Sequence, residues 1–218
     1  MEKLNGKKKL IVSVFISGRG TNLKSLINFS KYKNSPIKIV LVICNNKNAK
    51  GINYAKKNNI KFLFINYKNE KKAENKILIN LKKNNIDLVC LAGFMKILSK
   101  KIINIYKYRI LNIHPSLLPK FKGFNTYQRV LDSGDEFHGS TVHFVTAELD
   151  SGPLILQYRT RIRTDENPNQ LRKRVQLGEH QIYPMAIRWF AEGTLKMVEG
   201  ETVLRGKRIT KPEILEEI

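Results

Sequence analysis

Cysteine is scarce in this 218-residue chain, which contains only Cys44 and Cys90. Each lies inside a short apolar run, so we expect two buried free thiols in a reducing compartment, with the cytoplasm as the location. This excludes a disulfide-stapled secreted domain, and no cysteine or histidine spacing is typical of a metal site.

Long apolar runs are also lacking. The run at 10–16 is too short for a membrane span and is followed by no convincing cleavage site, so we predict a buried strand there.

Acidic residues are scarce as well, but only in the first half of the chain. Residues 1–110 hold 25 Lys and Arg against 4 Asp and Glu, whereas residues 111–218 hold 15 against 14. Asparagine follows the same division, with 17 before residue 111 and 4 after it. Lysine, asparagine and isoleucine all have A/T-rich codons, so we interpret the net charge of +22 as genomic base composition. A polyanion-binding module is the alternative, and a join between two parent genes near residues 110–120 is a further hypothesis.

The apolar runs predict an α/β fold with a doubly wound, mostly parallel sheet. In the first half, runs that are apolar throughout alternate with amphipathic stretches, as expected for strand–helix–strand units. The predicted strands are residues 10–17, 37–44, 62–65, 87–92 and 109–113. The predicted helices are residues 22–29, 49–58, 71–84 and 100–107.

The second half changes its pattern and is predicted to end the sheet with antiparallel strands. Residues 139–146 and 154–162 alternate in polarity, which is typical of strands exposed on one face. A helix over 168–190 follows, with Pro184 as a kink or restart, and residues 194–209 suggest a hairpin. Because no Gly/Ser linker interrupts the chain, we expect one domain over residues 1–218.

The sequence Asn-Ile-His-Pro-Ser-Leu-Leu-Pro at 112–119 carries the most chemistry. Asn112 and His114 are two positions apart on a predicted strand, so both project from one face before the prolines end the strand. An imidazole exchanges a proton near neutral pH, and a carboxamide donates a hydrogen bond to a developing oxyanion. The pair therefore favours acyl-type transfer. A structural histidine at a strand end is the alternative interpretation.

Asp150 is the predicted partner of His114. It lies at a turn after a strand, followed by Ser-Gly-Pro, where its carboxylate can hold a nearby imidazole in the charged form. A simple turn-forming aspartate is the alternative. We expect His143 only to pack within its strand and His138 to cap a loop.

Gly18 and Gly20 directly follow the first predicted strand and open the first predicted helix. Glycine lets backbone amides approach a ligand closely, and the free N–H groups of a helix start favour a phosphate. Thr21 and Asn22 add side-chain hydrogen bonds suited to a single phosphate group. Leu23 stands where the dinucleotide-binding fingerprint needs a third glycine, which argues against NAD. An ordinary tight strand-to-helix turn is the alternative.

Four segments together resemble the phosphoribosylglycinamide formyltransferase family, the folate-dependent enzymes of purine synthesis. The segments are residues 16–23, 91–98, 112–119 and 139–153, so the resemblance extends over nearly the whole chain. It implies transfer of a formyl group from the co-substrate 10-formyltetrahydrofolate to the amine of phosphoribosylglycinamide, without a covalent enzyme intermediate or a metal. It also implies a cytoplasmic monomer or weak homodimer that acts on small molecules, with no specific nucleic acid or membrane partner.

The resemblance implies roles for individual residues. The family's catalytic asparagine, histidine and aspartate fall on Asn112, His114 and Asp150. Substrate contacts, including those of the phosphate loop in the first half, fall on Gly20, Thr21, Asn22, Gln176, Leu177, Gly178 and Glu179. Folate contacts, which lie mainly in two loops, fall on Met95, Lys96, Ile97, Leu98, Asn112, Thr146, Ala147, Glu148, Leu149 and Asp150.

Three features depart from the family pattern. Lys96 replaces an arginine, which removes any bidentate contact while keeping the charge. Ala147 stands where an acidic residue is expected, and residues 66–75 do not supply the family's folate-binding arginine. These changes concern folate affinity more than chemistry. Open alternatives are a formyltransferase of the same fold acting on methionyl-tRNA or a nucleotide sugar, a hydrolase that releases formate, and an inactive scaffold.

Overall fold

The computed structural model describes residues 3–4 and 7–217. The chain divides into two compact units, Met1–Leu111 and Asn112–Ile218. This division lies close to the point where the composition of the sequence changes. The single domain expected from the sequence stays a prediction.

The first unit is built on parallel strands. These are β3 (Leu10–Ile16), β4 (Ile37–Cys44), β5 (Lys61–Phe64) and β6 (Leu88–Leu91), in the order β6-β3-β4-β5, preceded by the short antiparallel pair β1 (Lys3–Leu4) and β2 (Lys7–Lys8). The neighbouring strands from β6 to β5 all run parallel. Val12, Leu41 and Leu88 have no exposed surface, in keeping with strands that are buried on both faces of a parallel sheet.

In the described part of the first unit, four helices alternate with the strands or follow them. They are α1 (Thr21–Lys31), α2 (Ile52–Lys57), α3 (Glu70–Lys83) and α4 (Lys100–Ile105). The Asn69 side chain caps α3 by accepting a hydrogen bond from the Lys72 amide. Ala73, Ile77 and Leu81 are buried at helical spacing, so α3 packs through one apolar stripe.

The second unit carries the mixed part of the fold. Strand β7 (Ile110–His114) runs across the unit boundary and is followed by α5 (Thr126–Ser133), β8 (Phe137–Phe144), β9 (Leu154–Arg161), α6 (Pro168–Ala191) and, later, β13 (Glu213–Glu216). The strand order is β13-β9-β8-β7, with β8 and β9 antiparallel and β13 parallel to β9. A separate antiparallel sheet contains β10 (Leu195–Val198), β11 (Glu201–Leu204) and β12 (Lys207–Ile209).

The predicted fold class is confirmed: the chain forms a mostly parallel α/β sheet with helices, extended by antiparallel C-terminal strands. The prediction of a restart at Pro184 is wrong, because α6 continues through it while Tyr183 and Ala186 on either side are buried. The predicted hairpin is a three-stranded sheet. His138 lies inside β8 rather than at a loop, and neither α5 nor β13 was predicted.

Candidate active site

Strand β7 presents Asn112 and His114 at its carboxyl end. Ile113 lies between them in the alternating strand pattern, so the amide and the imidazole share one face. His114 is buried, whereas Asn112 is half-buried. The Ser116 amide donates to the His114 carbonyl at 2.9 Å, which turns the chain directly after the strand.

Asp150 reaches His114 from the turn after β8. Its Oδ2 atom lies 3.3 Å from His114 Nδ1, and both side chains are almost fully buried. The same oxygen accepts a hydrogen bond from the Gly123 amide at 3.0 Å. Asp150 has a left-handed backbone with φ of 47°, a conformation that aspartate tolerates better than most residues. The turn therefore aims a carboxylate at the imidazole, and the two form an ion pair when the ring is protonated.

The other ring nitrogen of His114 contacts the chain as well. His114 Nε2 lies 3.0 Å from the carbonyl oxygen of Phe121. Because that carbonyl and the Asp150 carboxylate both only accept, the arrangement suits a ring that carries a proton on each nitrogen. The 121–123 segment thus covers the His114–Asp150 pair, and His114 Nε2 must leave Phe121 before it can contact a ligand.

His143 on β8 joins the same cluster, which the sequence analysis did not anticipate. Its Nε2 lies 3.1 Å from Asn112 Nδ2 and 3.8 Å from Asp150 Oδ1. Its Nδ1 lies 2.8 Å from the Phe144 carbonyl oxygen. Burial lowers the pKa of His143 to about 4. The expectation that His143 only packs is therefore wrong. Its contact with Asn112 depends on how strands pair, which no local pattern reveals.

A buried polar network, also missed from sequence, holds the turn after β7. Thr141 Oγ1 donates to the Ser116 carbonyl at 2.6 Å and accepts from the Leu118 amide at 3.1 Å. Gln157 Nε2 donates to the Leu118 carbonyl at 2.8 Å. Satisfied buried polar groups make a rigid support for the neighbouring His114. The only sequence signal was a glutamine inside the otherwise apolar start of β9.

The predicted phosphate loop lies in the first unit, at the start of α1. Gly20 has a left-handed backbone with φ of 72° and no side chain caps the helix there, so the first amides of α1 are not satisfied by a capping side chain. The Gly51 amide donates to the Gly18 carbonyl at 3.0 Å. A Cβ atom on Gly20 would lie 2.6 Å from Gly51 Cα, so this position requires glycine. Thr21 is half-buried, and Asn22 is buried.

The segment 95–98 also lies in the first unit and contacts the end of β3. The Met95 amide donates to Ser17 Oγ at 2.7 Å, which ties this segment to the residue preceding the phosphate loop. Met95 and Ile97 are exposed for 56% and 71% of their surface, whereas Leu98 is buried. Lys96 Nζ lies 5.8 Å from the centre of the Tyr67 ring. Exposed apolar side chains of this size are suited to a flat ligand.

The loop 146–150 in the second unit borders a cavity of about 730 Å³. Thr146 is half-buried, while Ala147, Glu148 and Leu149 are exposed. Lys122 Nζ lies 3.9 Å from Glu148 Oε1 and also contacts the Ser151 hydroxyl. The loop thus offers polar groups beside an apolar side chain.

The turn 176–179 lies in the middle of α6, and its side chains face different directions. Leu177 is 63% exposed, Gln176 is half-buried, and Glu179 is buried. A Cβ on Gly178 would lie 2.1 Å from the Tyr158 ring, so Gly178 allows α6 to pack closely on β9. The structure therefore gives Gly178 a packing role.

Two absences hold for residues 3–4 and 7–217. No group of three or more His, Cys, Asp or Glu side chains is arranged to hold a metal ion. No helix in this part of the chain is long and apolar enough to span a membrane.

The chain is similar to known proteins over most of its length. Residues 9–187 match the model of the formyl transferase family. The chain is 41% identical to the phosphoribosylglycinamide formyltransferase of Haemophilus influenzae over 92% of its length and 96% of that protein. It is also 41% identical to the Escherichia coli protein of the same name, over 91% of this chain and 95% of the relative.

A solved structure is similar over most of its length. The phosphoribosylglycinamide formyltransferase of Coxiella burnetii superposes with a TM-score of 0.90 at 38% identity. The match covers 95% of this chain and 99% of that one.

Proposed function

Because the chain belongs to the formyl transferase family, we propose that it transfers the formyl group of 10-formyltetrahydrofolate to the amine of 5-phosphoribosylglycinamide in purine biosynthesis. Relatives that carry this activity in their names match along nearly their full length. The single observation that carries the proposal is the 3.3 Å approach of His114 and Asp150, beside Asn112. An amide, an imidazole and a carboxylate together suit acyl transfer to an amine.

Asn112 and His114 act on the formyl oxygen. As the amine adds to the formyl carbon, negative charge develops on that oxygen, and Asn112 Nδ2 and His114 Nε2 donate hydrogen bonds to it. His114 Nε2 becomes available when it exchanges its contact with the Phe121 carbonyl for the oxyanion. Asp150, 3.3 Å from the other ring nitrogen, orients the imidazole, and it also orients a water that carries the amine proton to the departing folate nitrogen. No bond to the protein forms or breaks.

The first unit supplies the anion site in this proposal. Gly20, Thr21 and Asn22 hold the substrate phosphate through the uncapped amides of α1 and two polar side chains. Gln176 and Glu179 on α6 contact the ribose, where a carboxylate accepts from hydroxyl groups. Leu177 and Gly178 complete that turn, with Gly178 packing on Tyr158.

The folate-binding residues are proposed from two exposed loops. In the first unit Met95, Lys96 and Ile97 present apolar surface and a charge, with Leu98 buried beneath them. In the second unit the loop from Thr146 through Ala147, Glu148 and Leu149 to Asp150 presents polar groups beside an apolar side chain. A mostly apolar ring system with a polar edge fits such surfaces. The folate supplies the formyl group when bound.

We also propose that both units form one formyltransferase domain that works in the cytoplasm as a monomer or weak homodimer. Its partners in this proposal are small molecules, with no specific nucleic acid and no membrane. Cys44 and Cys90 are both buried and are not joined in a disulfide, which supports a reducing compartment.

An absorbance assay of folate conversion, run with and without phosphoribosylglycinamide, tests the proposed function. We expect conversion only with the amine present, and conversion without it would indicate a hydrolase. Asn112→Ala should lower kcat by about 10²- to 10³-fold, the usual cost of one oxyanion donor. His114→Ala should abolish most transfer while calorimetry shows unchanged binding of phosphoribosylglycinamide. Wild-type turnover by His114→Ala at saturating substrate would overturn the proposed mechanism.

A further inference from the structure

The two ring nitrogens of His143 have partners of opposite kinds. Nδ1 lies 2.8 Å from the Phe144 carbonyl oxygen, which can only accept a hydrogen bond. Nδ1 therefore carries the proton. Nε2 lies 3.1 Å from Asn112 Nδ2, which can only donate. These partners select one tautomer, in which Nε2 offers a lone pair to the amide.

The surroundings of His143 keep the ring uncharged. The side chain is almost fully buried on β8, and burial lowers its pKa to about 4. The charged or titratable groups that face it are Asp150, whose Oδ1 is 3.8 Å from Nε2, and His114. Asp150 favours a proton on His143 and His114 opposes it, but burial outweighs the carboxylate. His143 thus remains an acceptor at Nε2 near neutral pH.

The hydrogen bond also determines which way the Asn112 amide points. An asparagine amide can present either its NH₂ or its oxygen to a neighbour, and the two orientations occupy almost the same volume. With an unprotonated Nε2 beside it, only the NH₂ orientation makes a hydrogen bond. The reverse orientation would place the amide oxygen against the His143 lone pair, which is repulsive.

We propose that His143 is a positioning residue for formyl transfer: its neutral Nδ1–H tautomer fixes the orientation of the Asn112 amide, so that the remaining N–H of Nδ2 donates to the oxyanion. This inference rests on the proposed function. Without the Nε2 acceptor, Asn112 samples both orientations, and in one of them its oxygen repels the developing negative charge. The loss falls on the transition state rather than on substrate binding.

Nitrogen NMR of the wild-type protein tests the tautomer without any assay of activity. We expect long-range proton–nitrogen correlations of His143 to show a protonated Nδ1 and an unprotonated Nε2 near pH 7. A protonated Nε2, either alone or with Nδ1, would overturn the inference. This result is independent of the reaction, so it stands or fails separately from the proposed function.

Steady-state kinetics test the positioning role. His143→Phe keeps a ring of similar shape but removes the acceptor, and we expect kcat to fall by about 10- to 100-fold with either KM changed less than about threefold. His143→Gln, which can place an oxygen near Asn112, should recover about tenfold of that loss. The pH profile of kcat should keep its limbs, because His143 does not titrate between pH 5 and 9. A lost limb would mean that His143 itself transfers a proton, which overturns a positioning role.

A double-mutant cycle separates positioning from a general packing effect. If His143 acts through Asn112, then His143→Phe should lower kcat by less than about threefold in the Asn112→Ala background. Independent, multiplicative losses would overturn the inference. If His143→Phe does not fold, the His143→Gln variant and the NMR measurement still decide the question. An inactive wild-type protein with the expected NMR pattern would count against the proposed function and leave the tautomer standing.

Discussion

The two units of the chain differ in their basic residues and in the groups that these residues contact. Residues 1–110 hold 23 lysines and two arginines, and lysines there lie over aromatic rings, as Lys24 does over Tyr54 at 5.8 Å. Residues 111–218 hold nine arginines, and several of these pair with carboxylates, as Arg174 does with Glu166 at 2.7 Å. All four histidines of the chain also lie in the second half. The second unit therefore contains more contacts that need one particular charged or titratable side chain.

The residues proposed for the functional site differ between the two units in the same way. The anion site proposed for the first unit relies on main-chain amides, on glycine and on the Thr21 and Asn22 side chains, so it does not depend on whether the surrounding surface carries lysine or another polar residue. The site proposed for the second unit relies on side chains, namely the Asn112 amide, the His114 and His143 imidazoles and the Asp150 carboxylate, and on the contacts among them. We therefore expect substitutions on the surface of the first unit to cost less activity than substitutions among the side chains proposed for the site of the second unit.

The largest expected effect comes from the arginine network of the second unit. Arg174 donates to Glu166 Oε1 at 2.8 Å and also pairs with Glu217. Burial by itself raises the pKa of Glu166, but hydrogen bonds from Arg174 outweigh it and hold that pKa below its usual value. Arg174→Met leaves the buried Glu166 carboxylate with the Arg163 amide but without its charged partner, so unfolding in urea should show a loss of about 3–5 kcal/mol.

Arg208 provides the matched control for Arg174. It pairs with Glu199 and Glu201, but all three side chains are at least half exposed. Arg208→Met should therefore cost less than about 1 kcal/mol. Equal losses for the two variants would contradict the view that the buried network of Arg174 stabilises the second unit.

Acid should weaken the protein through a buried histidine of the second unit. Burial and the nearby His114 lower the pKa of His138 to about 4, whereas an unfolded histidine titrates near 6.5. The unfolded state then binds more protons, so the stability contributed above pH 6.5 is lost as pH falls toward 4. The expected loss is about 2 kcal/mol between pH 7 and pH 5. Urea unfolding at both pH values measures the total loss, to which His143 also contributes because its pKa is likewise lowered to about 4.

The His138→Leu variant isolates this contribution from other acid effects. It should show a shallower dependence of unfolding free energy on pH than the wild-type protein, by up to one proton. The comparison concerns the slope and not the absolute stability, which changes with packing. Identical slopes would show that His138 titrates normally in the folded state.

In the first unit, the substitution Gly20→Ala tests whether the backbone at the start of α1 requires glycine. Gly20→Ala adds a Cβ that would lie 2.6 Å from Gly51 Cα, at a backbone φ of 72° that alanine disfavours. We expect a loss of about 1–3 kcal/mol in unfolding free energy. KM for phosphoribosylglycinamide should rise about tenfold or more, with a smaller change in kcat. Gly18→Ala is the control, since nothing lies within 4 Å of its added Cβ. Equal effects would remove the special role of Gly20.

Much of the fold could be predicted because local patterns determine it. Strand β4 was predicted to its terminal residues, since a run that is apolar except for Lys38 ends at two asparagines. Helix α5 was missed because it is short and buries only Thr126 and Val130. Strand β13 was missed because it pairs with β9, far away in sequence, and is mostly exposed. Pairing between distant segments leaves no local pattern to read.

The candidate site divides in the same way. Asn112, His114 and Asp150 could be predicted because they lie at the end of a strand or in the turn after one and belong to recognisable motifs, and their roles stay predictions. His143 and Gln157 could not, since their contacts depend on the register of β7, β8 and β9. The Phe121 carbonyl that meets His114 is a main-chain group, so its identity carries no signal in the sequence.

The smallest expected effect comes from the lysines of the first unit. Lys71, Lys72 and Lys76 are exposed on α3, and replacing all three by glutamine should change the unfolding free energy by less than about 0.5 kcal/mol. The variant should elute from heparin at lower salt, because retention of a basic surface follows its charge.

The control replaces three exposed lysines of the second unit, Lys173, Lys207 and Lys211. If the charge is diffuse and has no specific function, both variants should shift the elution salt equally and leave kcat/KM unchanged. A selective loss of polyanion binding in the first variant would instead identify α3 as a binding surface, and the composition of the first unit would then reflect selection.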